Sequence, residues 1–168
     1  MIMFNKKLKY TLLILAIFSV INNASCVTTS EFSFPYSEER EQGYEVIDCL
    51  DERDSDGLKS LFSKKVQKDY DLDKEIDNLF NAYDGKSIWY NKLFDVAYGE
   101  SIDNGVLTKR KATYWIDITT QLGFKPQYTV VVGTYSIFQD DPSMLGILYI
   151  TLTDLSTDEI TVIGEFKN

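Results

Sequence analysis

A carboxylate close to a tyrosine hydroxyl can in general move a proton, the acid as base and the phenol as donor to an oxyanion. Asp48 lies close to the apolar stripe of the first helical segment, and Tyr90, Tyr98 and Tyr114 are the phenols in view. Eleven tyrosines in 168 residues make such a meeting unremarkable. A solvated helix carboxylate and core rings with hydroxyls at an edge account for the same residues. Cys49, on the margin of the same stripe, reads as a small buried hydrophobe, because no Lys, Arg or helix N-terminus stands by to lower its pKa. No residue is assigned a catalytic, cofactor-binding or metal-binding role.

The chain has no histidine, which excludes Ser-His-Asp and Cys-His catalysis and His-ligated zinc. The acid-rich stretches 38–41 and 48–56 lack the ligand spacing of a calcium loop, since Asp54, Asp56 and Gly57 stand too close together. Turn and capping oxygens explain them better. Lys109, Arg110 and Lys111 form the basic cluster of the chain outside its first residues. Lysines that guard an edge strand are one reading of them, and a contact point for an anionic polymer is the other.

The N-terminus gives an address. Lys6, Lys7 and Lys9 precede an apolar run over residues 12–21, and Asn22 to Ser25 are small or polar. That order is the signature of a secretory signal peptide, about half the length of a membrane-spanning helix. Asn23-Ala24-Ser25-Cys26 resembles the bacterial lipobox, although Asn23 stands where that pattern usually has Leu. The resemblance implies cleavage before Cys26, diacylation of its thiol and anchoring in a membrane, facing outside the cytoplasm. Two acyl chains are what stable anchoring takes. Removing 25 of 168 residues leaves 143, and losing three lysines leaves 14 basic against 26 acidic residues, a net charge of about −12. Such a surface repels phosphate backbones, so nucleic acid is not an expected partner. With Cys26 acylated, Cys49 has no partner for a disulfide.

The expected organisation is a signal peptide over 1–25, a tether over 26–38 and one domain over 39–168. The domain opens with helical periodicity over 38–53, a short helix carrying Leu58, Leu61 and Phe62, and a third helix that Asp71 caps, with Ile76, Leu79, Phe80 and Tyr83 on one face. After Gly85 the texture becomes strand-like over 87–98, 106–120, 127–138, 145–153 and 159–166, with turn residues between. Helices first and hairpin-linked strands afterwards predict an α+β fold, N-terminal helices packed on one face of a curved antiparallel sheet.

Alternation along the strands sorts the residues into two faces. Tyr114, Ile116, Ile118, Val130, Val132, Leu148, Ile150, Leu152, Ile160 and Val162 are expected under the helices. Trp89, Leu93, Trp115, Val131, Tyr135, Ile137, Ile147 and Tyr149 fall on the other side, with Asp95, Asp117 and Thr119. Trp89, Trp115, Tyr135 and Tyr149 are therefore the candidate ligand or partner face, in a homodimer or with a protein or small molecule. A bulge would exchange such faces.

The run from Leu50 to Ser63, with its Asp-x-x-x-Leu-x-x-Leu-Phe spacing, resembles the helix–break–helix opening of the nuclear transport factor two-like, or cystatin-like, superfamily. Asp71 to Phe80, Gly85 and the Leu145-Gly146-Ile147 strand are similar to bacterial lipoprotein domains of unknown function. The resemblance implies a cystatin-like cone and carries no catalytic motif. The expectation is a tethered, non-enzymatic binding or interaction domain without a cofactor. The alternative is a cone-type enzyme using Asp and Tyr acid–base chemistry on a small molecule.

Overall fold

The computed structural model describes residues 37–92 and 94–165. The leader, Cys26, Leu93 and all but the last two residues of the expected tether lie outside the described residues. Four helices come first: α1 (Ser37–Glu52), α2 (Ser55–Leu61), α3 (Lys64–Asp69) and α4 (Leu72–Ala82). Six strands follow: β1 (Ser87–Tyr90), β2 (Val96–Asp103), β3 (Val106–Thr120), β4 (Tyr128–Phe138), β5 (Gly146–Asp154) and β6 (Ile160–Gly164). The strands form an open antiparallel sheet in which β1 and β2 share the β3 edge and β4, β5 and β6 follow in order. The α+β class is as the sequence predicts, with helices packed on a curved sheet.

Local chemistry sets the helix ends. The Asp54 carboxylate accepts from Gly57 N–H at the start of α2, and the Ser63 hydroxyl accepts from Val66 N–H at the start of α3. Asp71 does occupy the N-cap of α4, without a side-chain capping bond. Helix α3 is absent from the sequence reading, because its six residues bury one side chain, Val66, and show no periodicity. Arg53 donates to the carbonyls of Phe80 (2.8 Å) and Tyr83 (3.3 Å), meeting acceptors that the end of α4 leaves open. The Asp51 carboxylate accepts from the Tyr83 hydroxyl (2.8 Å) and from Ser87 N–H (2.9 Å), tying α1 to the end of α4 and to β1.

The predicted strand over 87–98 is two strands. Between them Phe94 drops into the core and stacks on Tyr114 at 5.0 Å, which breaks the ladder. Asn91 takes over there, its Oδ1 accepting from Asp117 N–H at 2.8 Å. Helix α1 comes close to the sheet at Gly43, where a Cβ would stand 2.7 Å from the Phe94 ring and 3.0 Å from Ile116. Tyr114, Ile116, Ile118, Val130, Val132, Ile150 and Leu152 are buried beneath the helices, as alternation requires.

Placements on three strands need correction. Ile150 pairs with Ile163 and Leu152 with Thr161, so Ile163 enters the core while Ile160 and Val162 turn outward. In β5 the register skips Leu148, and Ile147 pairs with Thr134 on the helix side. In β4 it skips Ser136, which sends Ile137 to the side of Arg110 and brings Phe138 out opposite Lys109. The slips in β4 and β5 are one residue each, enough to reverse a side chain.

Candidate functional site

The outward face of the sheet has a tryptophan end and a lysine end. At the first, Trp115, Val131, Thr151 and Val162 are register partners in a row across β3 to β6. Trp115 is 43% exposed and Val162 41%. Beside them lie Ile160, exposed on β6, and Trp89, which pairs with Thr119 and is 54% exposed. Neither tryptophan stacks on another ring among the described residues. Asp117 accepts from the Thr129 hydroxyl at 2.7 Å, so this carboxylate is held within the sheet.

At the lysine end the rings are more buried. Lys109 and Lys111 alternate outward from β3, and the Lys109 ammonium lies 4.9 Å from the Tyr135 ring and 4.6 Å from that of Phe138. Lys111 lies 5.5 Å from the Tyr149 ring. Tyr135 and Phe138 meet edge to face at 4.9 Å. With Met144 and Leu148 they wall a cleft of about 280 Å³, at which Glu165 also stands. Tyr149 is buried, its ring laid over Gly133 so closely that a Cβ there would be 2.2 Å from it.

Trp89, Trp115, Tyr135 and Tyr149 thus share one side of the sheet, as alternation predicts, but do not form one cluster. The tryptophans are accessible, Tyr135 is half-buried, and Tyr149 is a packing residue. Phe138 and Met144 escape the sequence reading, and Leu148, expected under the helices, lines this cleft instead, because bulges and a short 3₁₀ turn place them. The glycines Gly99 and Gly133 were the available signal, since a glycine inside a strand often marks close approach or open space.

The basic cluster is not an edge guard. Lys109 pairs with Ser101 of β2 on one side and Phe138 of β4 on the other, and Lys111 likewise with Gly99 and Tyr135. Arg110 points to the helix side and pairs with Glu100 at 2.7 Å.

The proton-transfer candidates are dispersed. Asp48 is exposed on α1, while the Tyr114 hydroxyl is held up by burial, and by Glu39 and Glu45, far above its ordinary range. It donates to Gln42 Oε1 at 3.1 Å. Cys49 is buried, and burial together with Asp54, Asp48 and Glu45 pushes its thiol up to about 11. A thiol so placed is not a nucleophile at neutral pH.

The profile of a family described as a domain of unknown function, DUF5104, matches residues 45–158. That is more than half of the chain, and the chain belongs to this family. No curated protein matches it.

Proposed function

We propose that this member of the DUF5104 family is a binding domain rather than an enzyme. In this reading it is held outside the cytoplasm by acylated Cys26 and meets its partner through the tryptophan end of the sheet. The carrying observation is the exposure of Trp89 and Trp115 on the side away from the four helices, in a row continued by Val131 and Val162. Large rings left in water beside aliphatic neighbours are a common mark of an interface. Helices first and a curved antiparallel sheet afterwards also support a wider relation to nuclear transport factor two-like domains, whose members commonly pair through this side. The rival acid–base reading draws less support. Asp48 is exposed, the Tyr114 hydroxyl is engaged by Gln42, and Asp51 with Tyr83 fastens α1 to the end of α4.

Two experiments on the full chain in a bacterial host test the reading. Membrane fractionation and intact mass should show an acylated Cys26, and Cys26→Ala should release the chain or leave it unprocessed. An unmodified N-terminus at Cys26 sinks the anchor. Sedimentation of Trp115→Ala should show self-association or partner binding weaker by about 2 kcal/mol. Unchanged association removes the interface.

A further inference from the structure

The lysine end carries a separate inference. Among the described residues, Lys59, Lys65, Lys86 and Arg110 are in ion pairs with carboxylates. Of the lysines in no such pair, Lys64, Lys68, Lys74, Lys92 and Lys125 are exposed, and Lys92 lies 5.9 Å from the Tyr90 ring. Lys109 and Lys111 differ from both groups. They are half-buried, lie two residues apart on one side of a strand paired at both edges, and hold their ammonium groups over aromatic rings. A ring face attracts a cation without neutralising it, so both charges remain for an incoming anion. One carboxylate, Glu165, stands against these two charges at the cleft.

We infer that the cleft between Lys109, Lys111, Tyr135 and Phe138 binds a small phosphate monoester. The phosphate meets the two ammonium groups and the neutral body packs on the rings, Met144 and Leu148. Lysine supplies compact point charges that suit a phosphate, whereas a carboxylate is better matched by the planar fork of arginine, and Arg110 is turned away to Glu100. A cleft of about 280 Å³ limits the body to roughly one sugar ring. The β2 side of Lys111 is open, since Gly99, its register partner, has nothing within 4 Å of where a Cβ would be. The chain is acidic overall, so two lysines facing a single carboxylate, Glu165, make this cleft locally cationic.

The test titrates the full chain in detergent with glucose 6-phosphate, glucose, glucuronate and inorganic phosphate, read by calorimetry. Glucose 6-phosphate should bind in the micromolar to millimolar range and more tightly than the other three. The double variant Lys109→Gln, Lys111→Gln should weaken it by at least about tenfold. Gly99→Glu, which keeps both lysines and sets a carboxylate beside Lys111, should weaken it too. Trp115→Ala should leave it unchanged, so this site and the proposed interface fail independently. No binding up to about 10 mM overturns the inference. So does equal binding of inorganic phosphate or glucuronate, or binding that survives both the double variant and Gly99→Glu.

Discussion

The two faces of the sheet are built from the same strands and obey opposite rules. On the helix side, Tyr114, Ile116, Ile118, Val130, Val132, Ile150 and Leu152 are at most 1% exposed. On the outward side, tryptophans, threonines, lysines, an aspartate and a glycine alternate with them at the same register positions. A face that must exclude water tolerates one chemistry. A face that water reaches tolerates many, and its few large rings are then informative because burial does not require them. The outward face is itself uneven, with accessible rings at the tryptophan end and rings covered by lysines or laid on glycine at the other.

The largest effect should come from breaking the uniform side. Ile116 is fully buried in the strand that α1 approaches at Gly43, so Ile116→Ala both removes buried surface and leaves a cavity that the rigid sheet cannot close. A loss of about 2–5 kcal/mol in urea denaturation is expected. A loss below about 1 kcal/mol would mean that this side is not the core.

A pair of glycines sharpens the contrast within the outward face. Gly133→Ala drives a methyl into the Tyr149 ring, which is itself buried and cannot swing into solvent, for a cost of about 1–3 kcal/mol. Gly99→Ala meets nothing within 4 Å and should stay within about 0.5 kcal/mol of the parent chain. Equal costs for the two would remove the distinction between a covered and an open stretch of this surface.

Cys49 probes the helix layer by pH. Its folded thiol titrates near 11 against an ordinary 9.0, raised first by burial and then by Asp54, Asp48 and Glu45. Between those values the folded chain holds the proton that the unfolded chain has released, so stability falls as pH rises from 9 toward 11. Cys49→Ala should reduce the fall that begins near pH 9, while Tyr83 and Tyr114, raised by burial from an ordinary 10.0, keep their own loss above that value. Alkylation of the parent at neutral pH should wait for unfolding. Rapid alkylation of the folded chain would place the thiol outside the core.

The α+β class, the helix-then-strand order and most of the buried side were legible because they rest on repetition. Ile76, Leu79, Phe80 and Tyr83 recur at helical spacing, and Ile116 and Ile118 alternate, so one error does not hide the pattern. What was not legible depends on single residues. The skipped positions at Ser136 and Leu148 reverse Ile137 and Ile147, and alternation read through them gives the wrong side. Phe94 splits a predicted strand because a stacking partner, Tyr114, waits in the core, and no local signal announces a partner 20 residues away. The lysine cleft was hidden for the same reason, since Phe138 reaches it only through the bulge.

A small change in folding stability is also expected at Trp115, where the comparison between faces is most exposed to failure. Its neighbours on β3, Tyr114 and Ile116, are buried completely, whereas Trp115 keeps 43% of its surface in water and has no ring partner among the described residues. Its closest register partner across the sheet is Val131, itself only half-buried. A tryptophan serving the core would cost about 3–5 kcal/mol on truncation to alanine. One that lies beside Val131 on the open face should cost about 1 kcal/mol or less in chemical denaturation of the isolated monomer. The two costs lie far enough apart for one denaturation curve to choose. A large loss would move Trp115 into the monomer's own core and leave the tryptophan end without its central residue.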